Sequence, residues 1–265
     1  MNLALALGQN FVILIGAMII LWLISVRIRD VSFIDSFWAW GMAMLAGASL
    51  LQTENLGWLG WTIFGLTMTW GARLGTHLLL RWRHEGEDPR YTKIIGTAMK
   101  KKGWSFAKTA LIKAWILQMP LLFMVCLPAQ IGILLAGDQA LNAIGIAGLL
   151  LATIGIIFET VGDAQLKAFK ADPSNKGKVL NSGLWRYTRH PNYFGDFCAW
   201  WGIWLVATQV GWPAWIAIIG PVFLSFTLTK WSGAPMLEYA LRKNRPDYVD
   251  YIEKTSGFFP MPPKI

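Results

Sequence analysis

The chain has 265 residues, of which 55% are hydrophobic and only 15% charged, with a mean hydropathy of +0.43. Soluble domains carry about 25% charged residues, so this deficit excludes an ordinary water-soluble globule and points to lipid as the solvent. The formal charge of +9 then fits cytoplasmic loops facing anionic lipid, or a pocket for an anionic cofactor, better than a nucleic-acid surface.

Seven apolar runs approach the roughly 20 residues that a membrane-crossing helix needs: 10–27, 33–51, 57–80, 110–130, 140–162, 194–210 and 213–230. The first 26 residues hold no Lys or Arg, so they lack the basic start of a secretory signal and read as a retained helix. Gly211-Trp212-Pro213 separates the last two runs, a break suited to a helical hairpin. The 16 tryptophans, many near run ends, fit interfacial anchors. Segments 52–56, 131–139 and 211–212 hold no Lys or Arg, whereas the alternate set (Arg27/Arg29, 81–108, 163–193 and the tail after 230) with its adjoining helix ends holds all 24 except Arg73. This alternation predicts an all-α polytopic bundle in one domain, N-terminus outside and C-terminus cytoplasmic. All six tyrosines fall on the cytoplasmic side. Cys126 and Cys198 lie in apolar runs near opposite faces and offer neither a disulfide framework nor metal-ligand spacing.

Ionisable groups inside such runs are costly and usually face an interior cavity. On the second run, Asp35 is either an N-cap or a functional carboxylate able to pair with Arg73. The third run aligns Trp70, Arg73, His77 and Arg81 in one stripe, with a Gly71/Gly75 pair that predicts close packing. His84-Glu85-Gly86-Glu87-Asp88 lacks regular ligand spacing and reads as a solvated loop, with no metal expected. On the fifth run, Glu159, Asp163 and Lys167 follow i, i+4, i+8 spacing, with Lys170 at i+11 on the same face. Ahead of the sixth run stands Asn181-Ser-Gly-Leu-Trp185-Arg186-Tyr187-Thr-Arg189-His190-Pro191-Asn192-Tyr193-Phe-Gly195-Asp196. Pro191 would fix the helix entry, whose early N–H groups suit an anion. Arg186 and Arg189 suit bidentate phosphate contact, and Trp185 or a tyrosine can sandwich a planar ring. A juxtamembrane lipid-binding segment would account for the arginines alone. It does not account for Asn192 and Asp196, four residues apart on one face.

This segment resembles the C-terminal signature of the membrane steroid 5α-reductase and sterol reductase superfamily, over roughly residues 155–262 including Phe258-Phe259-Pro260. Over most of its length the chain is similar to the bacterial steroid-5α-reductase-like group. The resemblance implies reduction of a conjugated carbon–carbon double bond in a steroid-like substrate by NADPH, held in a cytoplasm-facing cavity without a Rossmann fold. It places Glu159, Asp163, Lys170, Arg186, Tyr187, His190, Asn192, Tyr193 and Asp196 at the cofactor, and Glu238, Tyr239, Tyr248 and Tyr251 more loosely in the polar tail. At the substrate end the family uses a Gln–Glu pair and a tyrosine on the next helix. Here Asp35 stands for the acid, and Trp70 occupies the approximate place of the tyrosine. Arg73 matches a family arginine, which leaves Arg73, His77 or a tail tyrosine as the ketone donor. The hydrophobic substrate would enter from the bilayer. A membrane S-adenosylmethionine methyltransferase of the isoprenylcysteine carboxyl methyltransferase type is the main competitor, sharing R-H-P-x-Y-x-G and a Glu near the tail. A non-catalytic lipid-binding or transport protein ranks third, since the sequence shows no repeated halves.

Overall fold

The computed structural model describes residues 2–264 apart from Ser232 and Pro246, and the backbone alone at Ala240 and Asn244. The helices in chain order are α1 (Leu3–Ile28), α2 (Ile34–Leu51), α3 (Trp58–Glu85), α4 (Pro89–Lys102), α5 (Phe106–Ala110), α6 (Ile116–Val125), α7 (Leu127–Leu135), α8 (Ala143–Ala171), α9 (Pro191–Ala207), α10 (Trp212–Ile216), α11 (Ile219–Phe226), α12 (Ala234–Asn244) and α13 (Tyr248–Lys254). A π-helical turn, Leu111–Trp115, joins α5 to α6, and another, Thr227–Trp231, follows α11. No strand occurs among the described residues.

Five segments are long and apolar enough to cross a membrane: Leu3–Ile28, Ile34–Leu51, Phe106–Val125, Ala143–Ala171 and Trp212–Lys243. The sequence expectation was seven. The third run is helical as α3, but Arg73 and His77 interrupt its apolar character. The sixth is helical as α9, but at 17 residues it is short for the hydrocarbon thickness. The fourth run is not one helix. It stops at Val125, and α7 restarts with Pro128 near its first position, because a proline inside a helix removes an N–H and clashes with the preceding turn. The expected hairpin break is present at Gly211, whose φ of +97° favours glycine.

The basic segment 81–108 contains a helix the sequence reading missed. Asp88 caps α4 by accepting from the Arg90 N–H at 2.8 Å, and Pro89 opens it. Lys100, Lys101 and Lys102 occupy its last turn and Gly103 closes it in the left-handed region, so every end signal of a helix is there. The predicted loop of His84–Asp88 shrinks accordingly: α3 runs through Glu85 and Asp88 already caps α4.

Two close-packed seams position the polar residues. In the first, Gly71 of α3 would meet the Ala39 carbonyl at 2.7 Å if it carried a Cβ, and Gly75 would meet the Trp40 ring at 2.3 Å, as the Gly71/Gly75 pair predicts for α2 against α3. In the second, α8 and α9 interlock backbone to backbone. A Cβ at Gly155 would lie 2.5 Å from Ala199 N, at Gly195 2.5 Å from Glu159 N, and at Gly202 2.4 Å from Ala152 N. Only hydrogen fits at these three positions. At the opposite end of the bundle, Asn10, Ser49, Gln52 and Gln130 tie α1, α2 and α7 together through side-chain hydrogen bonds of 2.7–3.0 Å.

Candidate active site

The α8–α9 seam turns the polar face of α8 toward α3. Arg73 forms an ion pair with Glu159 at 3.0 Å and donates to Asp163 Oδ2 at 2.6 Å, while His77 Nε2 lies 3.8 Å from the same oxygen. Glu159 is 2% exposed and Asp163 6%, so the cluster sits in the protein and not at a solvated helix end. Asp196 of α9 comes up beside Glu159, since its neighbour Gly195 packs with its Cβ position 2.5 Å from the Glu159 N. Trp70 brings its indole Nε1 close to Asp196 without full hydrogen-bond geometry, and its ring packs edge-on against Trp200 at 5.1 Å. Glu159 Oε2 and Asp196 Oδ1 are enclosed and have no hydrogen-bond partner among the described residues. Three carboxyls thus gather around one guanidinium, with two acceptor atoms unused.

Asp35 neither caps α2 nor pairs with Arg73. It is not an N-cap, because α2 starts at Ile34 after Phe33, which caps with no side-chain bond. Nor does it pair with Arg73: it accepts from Tyr91 Oη at 2.6 Å and from Arg90 Nη2 at 3.0 Å. Both partners come from α4, the helix missed in the basic loop. Gln118 of α6 donates to Tyr91 Oη at 3.3 Å, and its own amide is oriented by the Trp38 indole. Burial, and then the Asp35 charge, push the Tyr91 phenol well above its ordinary range, so it stays protonated as a donor. No tyrosine precedes the basic loop on a membrane helix, and it is α4 that delivers Tyr91 here. The link between the two groups is Tyr193 of α9, which lies within electrostatic reach of Asp35, Arg90, Arg81 and Asp196.

The remaining signature residues build a clamp. Arg189 donates to Glu238 at 2.8 Å and to the carbonyls of Ile252 at 3.1 Å and Thr255 at 2.7 Å. His190 Nε2 lies 2.9 Å from Glu238 Oε1, and its ring stacks on Tyr193 at 5.3 Å. Thr188 Oγ1 donates to the Phe258 carbonyl and the Met261 N–H donates to the Tyr187 carbonyl. Arg189 and Glu238 therefore hold the tail against the start of α9. Glu238→Gln weakens two charge-assisted bonds at once, which are worth roughly 1.5–3 kcal/mol each in proteins. The expected outcome is proteolytic cleavage after residue 244 under conditions where the parent chain is intact; an unchanged digestion pattern would show the clamp to be dispensable.

Trp185 is buried and donates to the Gly162 carbonyl at 3.0 Å, fixing the loop on α8. Tyr251 donates to the Trp185 carbonyl and packs at a tilt against Tyr248, ring centroids 5.6 Å apart; burial raises both phenols. Arg186, Tyr187 and Tyr239 are exposed, Tyr239 at 76%. Lys170 pairs with Glu85 at 3.7 Å at the outer ends of α8 and α3. Asn192 is half-buried beside Gly162, with no side-chain hydrogen bond among the described residues. No group of three His, Cys, Asp or Glu able to hold a metal occurs among them either.

A family model described as a protein of unknown function, DUF1295, matches residues 21–255. The chain belongs to this family, the steroid 5α-reductase-like group. An uncharacterized protein of Schizosaccharomyces pombe, C594.04c, is 24% identical over 276 residues, covering 91% of this chain and 76% of that protein. A probable O-methyltransferase of Ustilaginoidea virens, ustE, is 37% identical over 57 residues, 22% of this chain and only 20% of that protein. No solved structure matches the chain significantly.

Proposed function

We propose that this DUF1295 member is a membrane oxidoreductase that uses NADPH to reduce a carbon–carbon double bond conjugated to a ketone in a lipid-soluble, steroid-like substrate. The observation that carries this reading is the Tyr91–Asp35–Gln118 trio beside α9. It supplies an acid, an amide and a phenol, the donor set that the reductase resemblance calls for and that the membrane helices alone lack.

The cofactor would lie along α8 and α9. Glu159 Oε2 and Asp196 Oδ1 are buried acceptors in want of donors, and a carboxamide or ribose hydroxyls would provide them. Arg81 and Lys167 stand close enough to His77 for their charges to act on it; with the exposed Arg186 they suit phosphates. When bound, the nicotinamide supplies hydride to the β-carbon. As charge develops on the ketone oxygen, Tyr91 turns its hydroxyl from Asp35 to that oxygen, while Arg90 keeps Asp35 paired. A donor aimed where charge appears lowers the barrier more than it tightens ground-state binding. Seven crossings, with an outer N-terminus and the site open to the cytoplasm, complete the proposal and rest on the Lys and Arg distribution.

A second reading, S-adenosylmethionine-dependent methyl transfer, is favoured by the 57-residue likeness to the probable O-methyltransferase. The deciding experiment is thermal shift and calorimetry of detergent-purified protein with NADPH and with S-adenosylmethionine, followed by NADPH oxidation with lipophilic enones. Stabilisation by NADPH alone is expected, with Tyr91→Phe slowing turnover about 100-fold or more, the usual cost of removing one oxyanion donor. Stabilisation by S-adenosylmethionine alone would replace the reductase reading by the transferase.

A further inference from the structure

The charge count around Arg73 does not balance. Glu159 faces Arg73 from α3, Asp163 on its own helix and Asp196 from α9; His77 lies by Asp163 and within reach of Lys167, and Trp70 closes the side. Arg73 spends its guanidinium on Glu159 Oε1 and Asp163 Oδ2, which leaves Asp196 with no cationic partner in contact among the described residues. At this point the backbones of α8 and α9 touch: a Cβ on Gly195 would lie 2.5 Å from the Glu159 N. The backbone segments that carry Glu159 and Asp196 therefore cannot move apart without separating the two helices. Two carboxylates held together in a dry site do not both remain ionised, because neither repulsion nor desolvation is relieved; a proton shared between them relieves both. The unpartnered oxygens, Glu159 Oε2 and Asp196 Oδ1, are the atoms on which such a proton can sit.

We propose that Glu159 and Asp196 hold one proton between them at neutral pH, and that this proton completes the reduction. The second half of that statement rests on the reductase reading; the first does not. In the step, hydride forms a bond to the β-carbon and the π electron pair shifts to give the enolate at Tyr91. The α-carbon then takes the proton, an O–H bond breaks and a C–H bond forms. The carboxyl is left as carboxylate, with Arg73 at hand to stabilise it, and His77, half-exposed on α3, relays a replacement proton from the cytoplasm. Asp35, already satisfied by Arg90 and Tyr91, plays no part in the transfer.

Infrared spectroscopy of the purified, cofactor-free protein reads the proton directly. At neutral pH the parent chain should show the carbonyl stretch of a protonated carboxylic acid, shifting in D2O. Both Glu159→Gln and Asp196→Asn should lose it, because removing either acid frees the other to ionise. Absence of the band in the parent chain, or its survival in either variant, overturns the shared proton. The parent spectrum decides the first point even if a variant fails to fold. Turnover tests the second point separately: with NADPH saturating, so that any loss of cofactor affinity is offset, Glu159→Gln should lower kcat about 100-fold or more, the span of general-acid contributions. An unchanged kcat would remove Glu159 as proton donor while leaving the reductase reading in place, and failure of the parent chain to oxidise NADPH would remove the reductase reading while leaving the infrared result in place.

Discussion

Gly155→Ala and Gly195→Ala will each lower the melting temperature of the detergent-solubilised protein, although alanine is the better helix former. Intrinsic propensity alone would stabilise each helix by up to about 1 kcal/mol. Against that, the new methyl at Gly195 meets Glu159 N at 2.5 Å and the Gly155 carbonyl at 2.6 Å, and the one at Gly155 meets Ala199 N and the Gly195 carbonyl, both at 2.5 Å. All of these are backbone atoms, which cannot swing aside as a side chain would. Overpacking a well-filled core costs roughly 1–3 kcal/mol, and rigid neighbours place these substitutions at the upper end. The two glycines share one contact, so the double variant should lose less than the sum of the singles. Gly47→Ala is the control, since nothing lies within 4 Å of its added Cβ; it should be neutral or slightly stabilising. Equal melting of all four proteins would show that α8 and α9 are not locked together. The functional consequence follows from the same contact, because the seam fixes Glu159 beside Asp196.

Removal of the Arg73 guanidinium will be the most damaging single change in the polar cluster. Arg73→Met keeps the length and apolar stem but leaves Glu159 and Asp163, 2% and 6% exposed, without their cation. Breaking a buried ion pair from one side costs about 3–5 kcal/mol, mostly from the stranded charge, which is a large share of any domain's stability. Low yield and a much reduced melting temperature are expected. The informative comparison is the triple variant Arg73→Met/Glu159→Gln/Asp163→Asn, which removes the charges together and should regain most of the loss while remaining inactive. If the triple variant melts no higher than Arg73→Met, charge balance is not what Arg73 provides. Arg73→Lys is no substitute, because one ammonium cannot span two carboxylates on successive turns of α8 as the planar guanidinium does.

What the sequence determined by itself was the solvent and the local periodicity. Long apolar runs are helices in lipid because the bilayer offers the backbone no other partner, and all seven runs are helical. The i, i+4 spacing of Glu159 and Asp163 put both on one face because a helix repeats every 3.6 residues whatever surrounds it. The Gly71/Gly75 pair likewise marked the close approach of α3 to α2. Tertiary structure alone decided who pairs with whom. Arg73 and Asp163 are 90 residues apart and Asp35 and Tyr91 are 56 apart; contacts over such separations depend on the depth and rotation of whole helices, which no local pattern records. Hence Asp35 went to Arg90 and Tyr91 of an overlooked surface helix instead of to Arg73. Arg189, read from its neighbours as a phosphate ligand, turned to Glu238 and the tail carbonyls once the chain end folded back over α9. A guanidinium satisfies whichever acceptors the fold brings within reach, and sequence supplies only its capacity to do so.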